Sequence, residues 1–221
     1  MRKTVSAVVS ALNEEKTIAG VIDPLLRSEY IDEVIVVNDG STDNTPEICR
    51  SFGERIIFLD YKVNRGMGFA MSQGVAHASG DIIAFFDADL VGLNDALIGR
   101  IVEPMLEDTG VQGVLGYSEN TDRMGFPGRI MQGISHRTVG RVTGQRAYYR
   151  EDLLPHLDQM AGVNRGAVVY LNSKLRNVAM VPMPDLKIVL KAEKVGARAA
   201  LVDYVKEGME FLRGYALTFR K

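Results

Sequence analysis

The chain has little of several things, and each shortage narrows what it can be. Cys49 is the only cysteine in 221 residues, so an internal disulfide is excluded and a reducing, cytoplasmic setting is expected. No stretch approaches the ~20 apolar residues that a membrane-spanning helix requires. Charge of neither sign dominates. A net charge of −2 gives no global attraction to nucleic acid or to an anionic membrane, and no nucleic-acid partner is expected. Histidine is scarce: His77, His136 and His156 are scattered without metal-ligand spacing, and no Ser/His/Asp arrangement can be read. Internal repeats and low-complexity segments are also missing.

The first residues, MRKTVSAVVSAL, begin like a signal peptide. The apolar run is short, however, carries Ser6 and Ser10, and stops at Asn13-Glu14-Glu15 without a small-residue cleavage pattern. A first core strand is the better reading.

What is present is ordinary for a globular domain: 46% apolar and 24% charged residues, enough for one sizeable core. Strand and helix signals alternate. Strands are expected at Val5–Ala11, Val34–Val37, Arg55–Leu59, Ile82–Phe86, Val111–Leu115 and Val178–Val181. Helices are expected after Asn13 (as cap, with Ile18, Val21, Ile22, Leu25 and Leu26 on one face) and from Thr45-Pro46, with Thr45 as cap. Further helices are expected at Gly68–Ala78, Asn94–Leu106, Gly128–Val139, Glu151–Met160 and Ala167–Arg176. From Ala199 one long helix carries Leu201, Val205, Met209, Leu212, Tyr215 and Phe219 along one side. That stripe is expected to pack on the domain or on a second copy in a homo-oligomer, with a membrane surface as the alternative. The pattern is α/β: a mostly parallel sheet with helices on both faces, whose ligands bind beyond the carboxyl ends of the strands.

Three polar clusters, Asn13-Glu14, Asp39-Gly40-Ser41 and Asp87-Ala88-Asp89, fall at such strand ends and are expected to converge on one edge of the sheet. The segment GDIIAFFDADL closes an apolar strand on Asp87 and Asp89. Two carboxylates one residue apart suit Mg²⁺ or Mn²⁺, which bind few protein oxygens and complete their shell with water and phosphate. The alternative is a strand that simply ends in solvent. In NDGSTDNT, Asp39 could accept hydrogen bonds from a base or ribose, while its neighbours are turn formers anywhere. In NRGMGFAMSQG, Gly66 and Gly68 open a helix and can present backbone N–H groups to phosphate. Neither the dinucleotide fingerprint nor the P-loop pattern is met. Cys49 reads as core. Residues 118–150 hold six arginines and could meet an anionic or lipid-phosphate acceptor, or remain solvated.

In this order, SALNEEKTIAGVI, VIVVNDGSTDNTPEI, NRGMGFAMSQGVAHASGDIIAFFDADL and GQRAYYRE resemble the GT-A fold nucleotide-sugar glycosyltransferases of the family 2 type and the related glucosyl-phosphoglycerate synthases. The resemblance implies a single domain with a nucleotide-binding half, 1–117, and an acceptor-side half, 118–221. It implies a hexosyl-type transfer from a UDP- or GDP-sugar to an acceptor hydroxyl or phosphate; the composition sets this in the cytoplasm, with the inner membrane face as the alternative that the C-terminal stripe leaves open. By the same resemblance Ala11, Leu12 and Glu14 would line the nucleoside pocket and Asp39 would contact base or ribose. Arg65, Gly66 and Gly68 would border the nucleotide. Asp89 would be the main ligand of Mg²⁺ or Mn²⁺, Asp87 would serve metal or nucleotide, and Arg146, in the segment Gly144–Ala147, would sit beside the acceptor.

The chain departs from the pattern at three places. Met67 stands where relatives usually have lysine, and GVNRGAVVYLN lacks the acid of the relatives' Gly-Tyr-Gly-x-Glu type segment. LKIVLKAEK lacks the histidine that phosphoglycerate-type relatives add to the metal. Arg65 is a candidate to replace the lost charge, and Asp152 or Asp185 to serve near the acceptor. The departures keep a second expectation alive, a weak or inactive nucleotide-sugar-binding subunit of the same fold.

Overall fold

A computed structural model describes residues 2–107, 110–117, 144–164, 166–175, 177–184, 186–188, 209–210 and 216. The first strand, β1 (Val5–Ala11), is buried except at the half-buried Ser10, because it has apolar neighbours on both faces. It pairs in parallel with β2 (Glu33–Asp39) on one side and β4 (Ile82–Asp87) on the other. Beyond β2 lies β3 (Ile57–Tyr61), also parallel. The chain therefore runs outward from β1 to β3, then crosses back to lay β4 on the far side of β1. Such a reversal parts the loops at the carboxyl ends of β1 and β4 and opens a crevice there.

Helices α1 (Ile18–Arg27), α2 (Thr45–Ser51) and α4 (Asp95–Leu106) cover one face, with Ile18, Ile22, Leu25, Cys49, Ile98 and Ile101 fully buried. Burial pushes the Cys49 thiol up to about 12, as befits a core residue. Helix α3 (Met67–His77) covers the other face with Ala70, Met71 and Val75. Ile82, Ala84 and Phe86 point into the first layer and Ile83 and Phe85 into the second. A strand packed on both sides shows no polar alternation.

After β4, a short strand β5 (Leu90–Val91) leads to α4 and then to β6 (Gly113–Tyr117). Strand β7 (Arg146–Tyr149) slots between β4 and β6 and runs against both. Strand β8 (Val178–Pro182) adds to β6 in parallel, giving the order β3-β2-β1-β4-β7-β6-β8, while β5 pairs separately with β9 (Lys187–Ile188). Between β7 and β8 come α5 (Arg150–Leu153), α6 (Leu157–Gly162) and α7 (Gly166–Lys174). The α/β, mostly parallel architecture expected from the sequence is the one observed.

Local differences have local causes. Gly53 at φ 59° opens a 3₁₀ turn over Gly53–Arg55, which delays β3 to Ile57. Pro155 divides the helix expected at Glu151–Met160 by placing a 3₁₀ turn, Leu154–His156, inside it. Asn13 does not cap α1, which starts at Ile18 with the Glu14 carbonyl accepting from the amides of Thr17 and Ile18. Asn44, not Thr45, holds the cap position of α2. The Gly128–Val139 helix lies outside the described residues, as does the C-terminal helix except for Met209, Glu210 and Ala216, which are helical. Among the described residues no helix is long and apolar enough to cross a membrane.

Helix α3 approaches β1 closely because Gly74 has no side chain: a Cβ there would stand 2.3 Å from Val8 Cγ1. Gly74→Ala gains roughly 1 kcal/mol of helix propensity but meets an overpacking cost of about 1–3 kcal/mol. The expected net result in urea unfolding is a less stable protein; equal or greater stability would show that the layer yields freely.

Candidate active site

Asp87 is the last residue of β4 and Asp89 follows across a one-residue turn. Both are half-buried, between the buried Phe86 and Leu90. The register pairs Phe85 with Arg146, so two residues on Asp87 faces Gly144. A Cβ on Gly144 would fall 1.6 Å from Asp87 Oδ2, so only glycine leaves that carboxylate its place. Next to it, the Gln145 side chain donates from Nε2 to Asp87 Oδ2 at 3.5 Å, while the Gln145 backbone carbonyl accepts from the Gly116 amide at 2.8 Å.

Among the described residues no cluster of three or more His, Cys, Asp or Glu forms a complete metal cage. A pair of hard oxygen donors is the set that a Mg²⁺ or Mn²⁺ ion accepts when phosphate and water supply the rest. The residues present therefore fit such an ion held between protein and diphosphate, and do not fit a zinc-type site.

The ends of β1 and β2 are locked together. Asn13, in the left-handed region at φ 56°, donates its amide to Ser41 Oγ at 2.9 Å and accepts from the Thr42 amide at 2.8 Å. The Glu14 amide reaches the buried Thr45 hydroxyl at 2.8 Å, and the Glu15 amide reaches Asp43 at 3.1 Å. Glu15 returns the bond, accepting from the Asn44 amide at 3.0 Å. The turn formers Ser41–Thr45 thus act as a clasp, a role their composition alone did not reveal. Ala11 is buried at the end of β1 while Leu12, just beyond, is 40% exposed at the crevice. Glu14 holds the start of α1 through its carbonyl and accepts from the Thr17 hydroxyl.

Asp39 is 4% exposed, and its two oxygens accept from the backbone amides of Arg65 and Gly66 at 2.9 and 2.7 Å. Its observed work is to organise the loop entering α3. Gly66 thus has its N–H engaged by protein, and a Cβ on Gly68 would stand 2.1 Å from the Met160 carbonyl. Both glycines allow close packing. The Arg65 guanidinium lies over the Phe69 ring at 4.8 Å and the Tyr61 ring at 6.0 Å, on the β3 side of the loop.

Arg146 is 2% exposed. Its Nε and Nη2 both reach the Gly144 carbonyl at 3.4 Å, and Nη1 has no hydrogen-bond partner among the described residues. It lies on the same face as Phe85, as does Tyr148, whose hydroxyl donates to Asn172 at 2.7 Å and is pushed up to about 12 by burial. A buried guanidinium with an unmatched N–H favours an anion beside it.

The structure separates one expected neighbour from this group. Because β7 runs against β4, Tyr149 lies beside Ile82 and the Arg150 amide bonds to the Asp81 carbonyl, at the opposite edge of the sheet. Asp152 follows on α5 and is thereby carried away from the crevice; Asp185 and His136 lie outside the described residues. A cavity of about 330 Å³ also opens at that far edge, lined by Ser6, Glu33, Arg55, Ser79 and Gly80 among others. It is remote from Asp87, and the strand-end geometry is the better guide to chemistry.

The sequence model of glycosyl transferase family 2 matches residues 6–168. Glucosyl-3-phosphoglycerate synthase of Mycobacterium tuberculosis is 33% identical over 148 residues, which cover 64% of this chain and 45% of that protein. Poly-beta-1,6-N-acetyl-D-glucosamine synthase of Staphylococcus epidermidis is 37% identical over 129 residues, covering 57% and 31%. The chain therefore spans less than half the length of these curated relatives. In three dimensions it is similar to the mycobacterial synthase in complex with Mn²⁺, UDP-glucose and phosphoglyceric acid, with TM-score 0.65, 25% identity, and coverage of 93% of this chain and 79% of that one. The complex with phosphoglyceric acid gives TM-score 0.65, 26% identity, and coverage of 85% and 72%.

Two outcomes are expected from the geometry. Gly144→Ala should force the Asp87 carboxylate out of its place and lower stability by up to about 1 kcal/mol, and adding Asp87→Ala should restore part of it. Additive losses in a thermal-unfolding cycle would show that the two residues do not touch. The second concerns the clasp. Burial raises the Asp43 carboxyl, but hydrogen bonds from the Thr45 hydroxyl and amide and from the Glu15 amide outweigh it and hold it below its usual 3.8. A depressed folded value means stability that is present above the unfolded value and is lost as pH falls through the folded one. Asp43→Asn should therefore be less stable than the parent at pH 7, and the gap should close below about pH 4. A gap that persists at pH 2 would exclude the carboxylate as its cause.

Proposed function

Because the chain belongs to glycosyl transferase family 2 and shares the GT-A fold of its structural neighbours, we propose that it is a metal-dependent glycosyltransferase. It moves a sugar from a nucleotide-diphosphate donor, a UDP- or GDP-sugar, to an acceptor hydroxyl or phosphate. The observation that carries this reading is the pair Asp87 and Asp89 leaving β4 beside the strand-order reversal, with Gly144 bare against Asp87.

In this reading Asp89 and Asp87 hold Mg²⁺ or Mn²⁺. The bound ion supplies electrostatic stabilisation of the charge that grows on the leaving diphosphate. Ala11, Leu12 and Glu14 line the nucleoside, and the Asp39-organised loop with Arg65, Gly66 and Gly68 borders it. Arg146 offers its unmatched N–H to an anionic group on the acceptor side, consistent with a phosphorylated or lipid-linked acceptor. The cytoplasmic setting, peripheral membrane association and oligomerisation through the C-terminal helix belong to the same proposal. A second reading, a nucleotide-sugar-binding subunit without transfer, draws on one observation: residues 162–172 contribute no carboxylate to the crevice.

Thermal shift with UDP- and GDP-sugars tests the leading reading. One donor should raise the melting temperature only with MnCl₂ present, and Asp89→Ala should abolish the rise. A metal-independent shift, or one that survives the substitution, contradicts the assignment. Release of free sugar or nucleotide from the donor separates the enzyme from the binding subunit.

A further inference from the structure

The amides that begin α3 are held from two distant parts of the chain. Helix α3 has no side-chain cap of its own, since its cap position is Gly66 at φ 98°. Uncapped amides at a helix start need other partners. Asp39 takes those of Arg65 and Gly66, and Asn164 takes the next: its Oδ1 accepts from the Met67 amide at 2.6 Å.

Asn164 sits between α6 and α7 in the left-handed region, φ 49°, which asparagine tolerates better than most residues. Its other amide atom, Nδ2, donates to Glu210 Oε1 at 2.5 Å. That contact fixes the orientation, because a carboxylate can only accept; the oxygen of Asn164 is thereby turned toward Met67. The approach depends on missing side chains. A Cβ on Gly66 would stand 2.7 Å from Asn164 Cγ, and one on Gly68 would stand 2.7 Å from the Asn164 carbonyl.

We propose that Asn164 is a positioning residue, oriented by Glu210, that clamps the 64–67 loop in the form Asp39 requires, so that the donor side of the crevice is completed by the C-terminal half of the chain. The donor part of this statement rests on the function proposed above; the clamp does not. Asp39 alone fixes two amides of a loop that contains glycine. With Asn164, three consecutive amides are fixed.

The test uses the full chain with Asn164→Gly, Asn164→Asp and Asn164→Asp/Glu210→Gln. The glycine variant relieves the backbone but removes the acceptor. The single aspartate sets two carboxylates together. The double variant reverses donor and acceptor between positions 164 and 210 and keeps an oxygen for Met67. Backbone amide exchange is followed residue by residue in the free protein, and the Kd of UDP and of GDP is measured with MnCl₂. Asn164→Gly should speed exchange at Arg65, Gly66 and Met67 by about fivefold, in line with one lost hydrogen bond, and weaken the bound nucleotide by a similar factor. The double variant should recover both. Unchanged exchange at those three amides in Asn164→Gly, or acceleration spread evenly over the protein, would overturn the clamp. If the clamp responds as expected but the parent protein binds neither nucleotide, the donor role and the function beneath it fall together.

Discussion

A strand buried on both faces has nowhere to hide a carboxylate, so the point where β4 ends governs what surrounds it. Asp87 emerges at that point, and the chain meets it with the one residue that has no side chain to place in its way, Gly144. The consequences extend outward. Gly144 lies two residues before β7, which enters beside Asp87 and runs against β4. Arg146, two residues further, is then buried on the same face as Phe85, with part of its guanidinium unmatched among the described residues. Negative and positive groups are thus arranged along one strand pair, at the carboxyl end of β4.

The other wall of the crevice is built from backbone amides. Each loop amide left unbonded in a partly buried place costs on the order of 1–3 kcal/mol, more than one net hydrogen bond returns. The clasp between residues 13–15 and 41–45 and the two bonds to Asp39 meet that requirement with side chains from neighbouring strand ends. A loop set in this way needs little rearrangement to accept a ligand, which is the advantage of preorganisation. Glycines at 66 and 68 serve the same end by letting a neighbouring turn approach.

Much of this was legible in the residues. Ile82–Phe86 reads as a doubly buried strand, Asn94–Leu106 reads as a helix, and the three polar clusters do converge on one edge of the sheet. What escaped was long-range. Nothing near Arg146 announces that its strand runs antiparallel between β4 and β6, so Asp152 appeared close to the chemistry although the topology carries it away. Asn13 looked like a helix cap because asparagine before a helical pattern often is one; its partner lies 29 residues ahead in sequence. Gly66 and Gly68 looked like phosphate binders because a sequence shows an absent side chain but not the neighbour that fills its space. Asn164 gave no signal beyond being an asparagine in a turn.

The central claim is that Asp87 and Asp89 hold a divalent cation against a nucleotide diphosphate. The electron paramagnetic resonance of Mn²⁺ tests this directly, since the sharp signal of the free ion broadens when it is bound. With UDP or GDP at a concentration that leaves most Mn²⁺ free, the account predicts that adding the parent protein removes the free-ion signal, and that a protein carrying both Asp87→Asn and Asp89→Asn leaves it intact. Equal loss of signal with the two proteins would contradict the account.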